Sequence, residues 1–298
     1  MKQRRTVIVQ DEAQAAGAAP TYDLPINPLS HLIFSFKFLN KAAEVLLPEI
    51  LAKISKINIS RGGQTQMDLN LADLWAQNCM ISGREPILTN KVTTDNATRI
   101  LTVILPFGRR LFDPNECMPA TAFGDFKLTI TTTATETTMD GVIFLIEAVE
   151  LIGATPKQWL KMTTLSKTPA AAGEMDVDIP IGNQLVNLML WATTVPTGTA
   201  WTATVDWVKL LRDNQEEQIA KANWECLHGD LLQKIGYIGD HGAAYGADLL
   251  SLYGLLDFDP SYDGSLLVPT AGASSMKLRV NAGDTNAFRV IVSELAKV

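Results

Sequence analysis

Met118-Pro119-Ala120-Thr121, then Lys127-Leu128-Thr129-Ile130-Thr131, returns further along the chain as Val268-Pro269-Thr270-Ala271, then Lys277-Leu278-Arg279-Val280-Asn281. The two stretches align without a gap, so Lys127 and Lys277 hold equivalent places. Each pairs a Pro-containing turn with an alternating run whose period of two suits a half-buried strand. Self-similarity of this kind is the mark of a duplicated structural unit. Around the two anchors the order of elements also repeats. In the first half a strand at Lys53–Ser60, a tight turn and a helix carrying Trp75 precede a long loop and the strands near Ile100, Lys127 and Val142. In the second half the strand Thr202–Leu210, a polar turn and a helix carrying Trp224 precede a Gly-rich loop and the strands near Leu252, Lys277 and Ala287.

Strand signals dominate the rest. Val, Ile, Thr, Phe and Leu alternate with polar residues in Leu32–Phe38, Arg99–Pro106, Phe126–Thr135, Val142–Leu151, Met175–Ile181 and Leu185–Thr193, with Gly, Pro, Asn and Asp between them. Ile57 to Gln64 reads as a strand, a Gly62-Gly63 turn and a return. Two helices are expected. Asn70–Met80 has Asn70 as cap and Asp73 in its first turn. Asn214–Leu227 has Asn214 as cap with Glu216 and Glu217 behind it. Residues 1–28 are polar, Ala-rich and broken by Pro20, Pro25 and Pro28, which reads as an arm outside the core.

With 298 residues, 47% of them apolar, the chain has material for two packed domains. A net charge of −7 argues against nucleic-acid binding by the body of the protein, because phosphate neutralisation needs clustered Lys and Arg. Lys2, Arg4 and Arg5 are the one basic cluster and the candidates for contact with a membrane or a genome. Cys79, Cys117 and Cys226 are too few and too irregular for a disulfide scaffold, which fits folding in a reducing cytoplasm; Cys226 reads as a small buried residue. No secretory signal or membrane-spanning run stands out.

Catalytic and metal patterns are weak. Asp257, Asp259 and Asp263 could supply oxygen ligands, but their spacing is not that of an EF-hand and Pro260 stiffens the segment, so a solvated turn is expected. His228, Asp230, Asp240 and His241 lie close in sequence at irregular spacing, and the third histidine, His31, is far away. There is no Gly-x-Ser-x-Gly and no phosphate-binding Gly motif. No enzyme activity and no cofactor are expected. The six tryptophans read mainly as core.

Ile50–Met80, with its strand, tight turn, return and Leu-x-x-Leu-Trp helix, resembles the corresponding stretch of double jelly-roll major capsid proteins, above all those of tailless, membrane-containing bacteriophages of the corticovirus kind. Pro156–Met162, Val205–Lys209 leading to the Trp224 helix, and the closing pair Met276–Asn281 and Ala287–Glu294 are similar to that family too. The Gly229–Gly246 loop has no counterpart there. The resemblance implies an all-β chain of two tandem eight-stranded antiparallel jelly rolls with short helices in the loops. The expected division is an arm (1–28), a first jelly roll (29–156) and a second (157–298). It further implies a capsid subunit, made in the host cytoplasm and placed in the virion. Such a subunit trimerises into pseudo-hexameric capsomers that meet neighbouring capsomers and other capsid proteins such as the penton. The other reading to weigh is a carbohydrate- or receptor-binding β-sandwich, such as a minor capsid or spike protein.

Overall fold

The computed structural model describes the whole chain except residues 42, 87, 90–93, 135–137, 197–200 and 236–248. Two compact units divide it. One takes in Met1–Met162 with the closing pair Lys297–Val298, the other the described residues from Thr163 to Ala296.

The strands of the first unit are β1 (Lys2–Gln14), β2 (Thr21–Asp23), β3 (Leu29–Asn40), β4 (Ile54–Arg61), β5 (Gln64–Leu69), β6 (Leu88–Thr89), β7 (Thr98–Pro106), β8 (Phe126–Thr132) and β9 (Met139–Ile152). Helix α1 (Leu47–Lys53) precedes β4, and α2 (Leu71–Ser82) follows β5. The strands form two antiparallel layers, β1-β9-β3-β7-β6 and β5-β4-β8-β2. In the first layer Leu32, Phe34, Phe36 and Phe38 alternate with outward residues and lie in register with Ala148, Ile146, Phe144 and Val142. All eight are buried, as are Ile57, Ile59, Leu128 and Ile130 of the other layer. Each fully buried side chain of this size contributes about 1.5–3 kcal/mol, and the period of two holds the register, because a slip by one residue would turn every Phe outward.

The second unit holds β10 (Gln158–Lys167, its latter half), β11 (Gly173–Asp178), β12 (Gln184–Ala192), β13 (Val205–Arg212), β14 (Gln215–Glu216), β15 (Ala222–Asn223), β16 (Tyr253–Asp257), β17 (Val268–Pro269), β18 (Met276–Ala282) and β19 (Phe288–Lys297). Helix α3 (Trp224–Lys234) lies between β15 and β16. Its layers are β16-β12-β19-β10 and β11-β18-β13-β14, with β17 beside β12 and β15 beside β13. They enclose Val177, Leu188, Leu190, Val208, Leu278, Val280, Val290 and Val292, and Trp224 and Leu227 of α3 pack against the same core.

The duplication is plain in these orders. Read β10 for β1, β11 for β2, β12 for β3, β13 for β4, β14 for β5, β16 for β7, β18 for β8 and β19 for β9, and one unit becomes the other. An eight-stranded sandwich with this order, in which the first strand lies beside the last and the second beside the seventh, is a jelly roll. The two matched sequence anchors, Lys127–Thr131 and Lys277–Asn281, fall in β8 and β18, the seventh strand of each unit.

Two expectations need correction. Residues 1–28 are not an arm outside the fold. Residues 2–14 form the first strand, paired along β9 from Lys2–Ile152 to Gln14–Val142, and Thr21–Asp23 pairs with β8. The misleading polarity belongs to an edge strand. Charged residues and two register shifts, between Val7 and Val9 and between Val9 and Glu12, discourage pairing with a further chain. The helix expected over Asn214–Leu227 begins ten residues later, at Trp224. Asp213 and Asn214 both take positive φ, 53° and 64°, which makes them the centre of a tight hairpin turn that Gln215–Glu216 pairs back across. Helix α2 matches its expectation: the Asn70 side chain accepts the Asp73 N–H at 2.7 Å, and Gly83 ends the helix at φ 66°.

Candidate functional site

The two histidines among the described residues lie in different units, and each has a hydrogen-bond partner. His31, on β3, is buried. Ser30 Oγ accepts the Phe112 N–H at 2.8 Å, so its own proton is free for His31 Nδ1 at 2.9 Å, an arrangement for neutral imidazole. Burial, with the Arg5 charge, pushes the His31 pKa down to about 4. His228 Nδ1 lies 2.9 Å from the carbonyl oxygen of Tyr253 and so holds α3 to β16. Asp240 and His241 lie outside the described residues. Cys226, expected in the core, is exposed on α3, whereas Cys79 and Cys117 are buried and free. Helix periodicity explains the difference: Trp224, Leu227 and Leu231 form the buried stripe and Cys226 falls off it.

The carboxylates of the 257–263 segment cap their own backbone. Asp257 Oδ1 accepts the Asp259 N–H at 2.9 Å, Asp259 Oδ1 the Gly264 N–H at 2.8 Å, and Asp263 Oδ1 the Ser265 N–H at 2.9 Å. The cation beside them is Lys234, whose Nζ lies 2.6 Å from Asp257 Oδ2 and donates to the Pro260 carbonyl at 3.1 Å. Among the described residues no group of three His, Cys, Asp or Glu is placed to hold a metal ion. None of their helices is long and apolar enough to cross a membrane.

Lys2, Arg4 and Arg5 are brought to the start of β1. Arg4 makes a two-pronged ion pair with Glu150 on β9, 2.8 Å from Nε and 2.9 Å from Nη2, and Arg5 lies 3.3 Å from Glu147. Glu150 has no exposed side-chain surface and also accepts from Thr6 and from Asn27 at 2.6 Å. Burial alone would raise its pKa, but these donors and the Arg4 charge hold it below the ordinary carboxylate range. Lys2 is exposed. A second lock ties the loop between β7 and β8: Glu116 accepts from Arg109 Nε at 2.9 Å and from Gln158 Nε2 at 2.8 Å. In the second unit Asp213 accepts from Ser274 N at 2.8 Å and Ser275 N at 3.0 Å, joining the β13–β14 turn to the loop before β18.

Of the tryptophans, Trp75, Trp159 and Trp224 are core. Trp159 sits edge-on to Phe107 and Phe126 at centroid distances of 6.3 and 6.2 Å. Cations cover two others, Arg289 at 3.7 Å from the Trp191 ring and Lys209 and Lys221 at 5.6 and 5.2 Å from that of Trp207. Trp201 is exposed.

The outer faces of the sheets differ in character. The outer face of β4 and β8 is polar, with Lys56, Asn58, Lys127 and Thr129, and Lys56 pairs with Asp68 of β5 at 3.2 Å. The outer face of β3, β7 and β9 is aliphatic: Ile33, Ile100, Ile104, Ile143 and Leu145 are half-buried there around Lys37, Ser35 and Thr102. In the second unit, β11 and β18 carry an ion-pair mesh on their outer side, with Arg279 bonded to Asp176 at 2.8 Å and Lys277 3.6 Å from the same carboxylate. Sequence reasoning singled out none of these faces. The aliphatic one was legible in principle, since Ile143, Leu145, Ile33 and Ile104 fill the positions where a one-sided strand would carry polar residues.

The two units are jelly rolls in tandem, a fold that does not by itself fix a function. No family model and no curated protein sequence matches the chain. Solved structures do. The major capsid protein of STIV, Sulfolobus turreted icosahedral virus, is similar with a TM-score of 0.70 at 13% identity, over 100% of this chain and 97% of that one. The major capsid protein of bacteriophage PM2 gives 0.65 at 13% identity, over 99% and 98%. The PBCV-1 virus capsid gives 0.65 at 10% identity, over 99% and 93%. The likeness spans both units each time, and the fold is that of a double jelly roll.

Proposed function

We propose that this chain is the major capsid protein of a virus, a subunit without catalytic activity that associates with itself and builds an icosahedral shell in the virion. The observation that carries the reading is the full-length match: two jelly rolls in tandem, over nearly the whole of each of the three capsid proteins. Duplication within one chain lets three copies present six similar lobes, the outline that tiles a hexagonal lattice, so the assembly unit we propose is a homotrimer that meets neighbouring trimers and other capsid proteins. The aliphatic outer face of β3, β7 and β9 supports this. A half-buried apolar sheet face gains when a second protein removes its remaining contact with water. The charged, bulged β1 edge directs contacts to faces and loops instead of strand ends.

Light scattering on the purified full-length protein tests the reading. The expected particle contains three 32.5 kDa chains. A monomer that persists at every concentration, with no larger assembly, overturns it. Substitution of Leu145 by Lys, in the middle of the aliphatic face, is expected to weaken self-association while the chain stays folded.

A further inference from the structure

The two units are built alike but covered differently. Helix α2 comes before β7, and α3 before its counterpart β16. Residues 73–80 of α2 are buried without a break, so that helix has no free side. In α3 only Trp224, Leu227 and Leu231 are buried, a single stripe. The sheets show the reverse. Leu255, Met189 and Ile291 form one register row across β16, β12 and β19, where they alternate with the core residues Leu188, Leu190, Val290 and Val292 and so point to the outer side, yet all three are buried. The equivalent outer side of β7, β3 and β9 is the aliphatic face, and Ile104, Ile33, Ile143 and Leu145 are only half-buried there. Each kind of surface is thus covered in one unit and bare in the other. The sheet face is bare in the first unit, the helix in the second.

The two bare surfaces match in shape and in kind. On the face, Ser35 and Thr102 lie in register and make a low row, bordered by Ile33 and Ile104 on one side and by Ile100 on the other. On α3, nothing stands within 4 Å of where a side chain at Gly229 would begin, and Leu232 is 40% exposed. A helix with a glycine and an outward leucine on its free side can approach a shallow apolar row closely. Lys37 and Arg5 of the face already hold Asp11 and Glu147, so apolar burial and not charge favours the contact. Glu225 and Asp230, exposed on α3, suit the wet margin of such an interface. Cys226 lies about a third of a turn from Leu232 around the helix and stays accessible.

We propose that α3 of one chain seats on the outer face of β3, β7 and β9 of a second copy, with Leu232 entering the low row of Ser35 and Thr102. A contact of like with like pairs two chains and stops. A contact between unlike surfaces leaves a free helix on one chain and a free face on the other, so it passes to further copies and can close into a ring. The proposal rests on the capsid reading for the fact of self-association and adds which surfaces meet.

Sedimentation velocity of the full-length protein tests it, with Leu145→Lys, with Leu232→Lys and with the two variants mixed in equal amounts. Leu145 and Leu232 both keep contact with water, so the variants are expected to fold, as near-UV circular dichroism will check. Leu145→Ser or Leu232→Ser takes the place of a lysine variant that does not. Every contact between copies of one variant includes a spoiled surface, so each variant alone is expected to self-associate about thirtyfold more weakly than the parent. In the mixture the sound helix of the Leu145→Lys chain meets the sound face of the Leu232→Lys chain. Pairs containing one chain of each are expected, with no larger species. Either variant assembling like the parent overturns the proposal. So does a mixture that stays monomeric at and well above the concentration at which the parent assembles. Both results leave the capsid reading standing, whereas a parent protein that never self-associates overturns that reading and the proposal together.

Discussion

Val9 and Val7 are two residues apart on a strand, and the structure assigns them opposite fates. Val9 is 4% exposed and lies opposite Ile146 of β9, at the edge of the first core, while Val7 is 50% exposed and faces out opposite Glu147. In Val9→Asp the apolar transfer of a buried valine is lost, about 2 kcal/mol. A carboxyl group then has to be held, protonated or strained, in an apolar site, at about 2–3 kcal/mol more. The sum of about 4–5 kcal/mol is a large part of the 5–15 kcal/mol that holds a domain together. For a unit of this size each kcal/mol moves Tm by about 2–4 °C, so Val9→Asp is expected to lower the first thermal transition by roughly 10–15 °C or to prevent folding. Val7→Asp is expected to stay within about 0.5 kcal/mol of the parent protein. Differential scanning calorimetry on the two variants and the parent reads both. If Val9→Asp melts like Val7→Asp, the first fourteen residues are not a strand of the sandwich and the topology of the first unit is wrong.

Other expected outcomes follow from single sites. His31 has a folded pKa depressed to about 4 by burial against an ordinary value of 6.5, so the unfolded chain takes up its proton first. Its contribution to stability is complete above the ordinary value and is lost as pH falls from there through about 4; thermal melts across that window should steepen for the parent protein and flatten for His31→Gln. Cys117 is pushed up to about 11 by burial and Cys79 is pushed higher still, so native iodoacetamide labelling should modify Cys226 alone, as peptide mass mapping will show. Trp159→Ala empties the space between Phe107 and Phe126 and should cost about 3–5 kcal/mol in urea unfolding of the first unit. At Gly254 an added Cβ would come within 2.9 Å of Leu227 Cβ, so Gly254→Val should displace α3 and destabilise the second unit by about 1–3 kcal/mol.

Much of the fold was legible because its signals are local. Lys127–Thr131 and Lys277–Asn281 announce equivalent strands through alternation alone, and Asn70 with Asp73 announces α2 through a cap. The failures are of two kinds. Asp213-Asn214 followed by Glu216 and Glu217 satisfies a helix cap and an acidic first turn, yet the same pair is also a strong hairpin turn; the long-range pairing of β13 with β18 decided between them. For β1, the β-branched run Thr6-Val7-Ile8-Val9 was the strand signal, outweighed by the charges around it. Arg4 and Arg5 look like free cations until Glu150 and Glu147, far away in sequence, are seen beside them. Helix α1 was missed because its start signal is unusual: Pro48 opens it, and Glu49 reaches back to accept the Leu46 N–H at 2.8 Å. The apolar loop tips Ile26, Phe112 and Phe123 carry no periodicity, so nothing local distinguishes them from core residues.

Electron cryo-microscopy of the protein as it assembles addresses the whole account at once. Closed shells or flat lattices should appear, built from three-chain capsomers in which six jelly-roll lobes, two per polypeptide, can be traced. A homogeneous population of single chains, or capsomers whose lobes are contributed one per polypeptide, would contradict it.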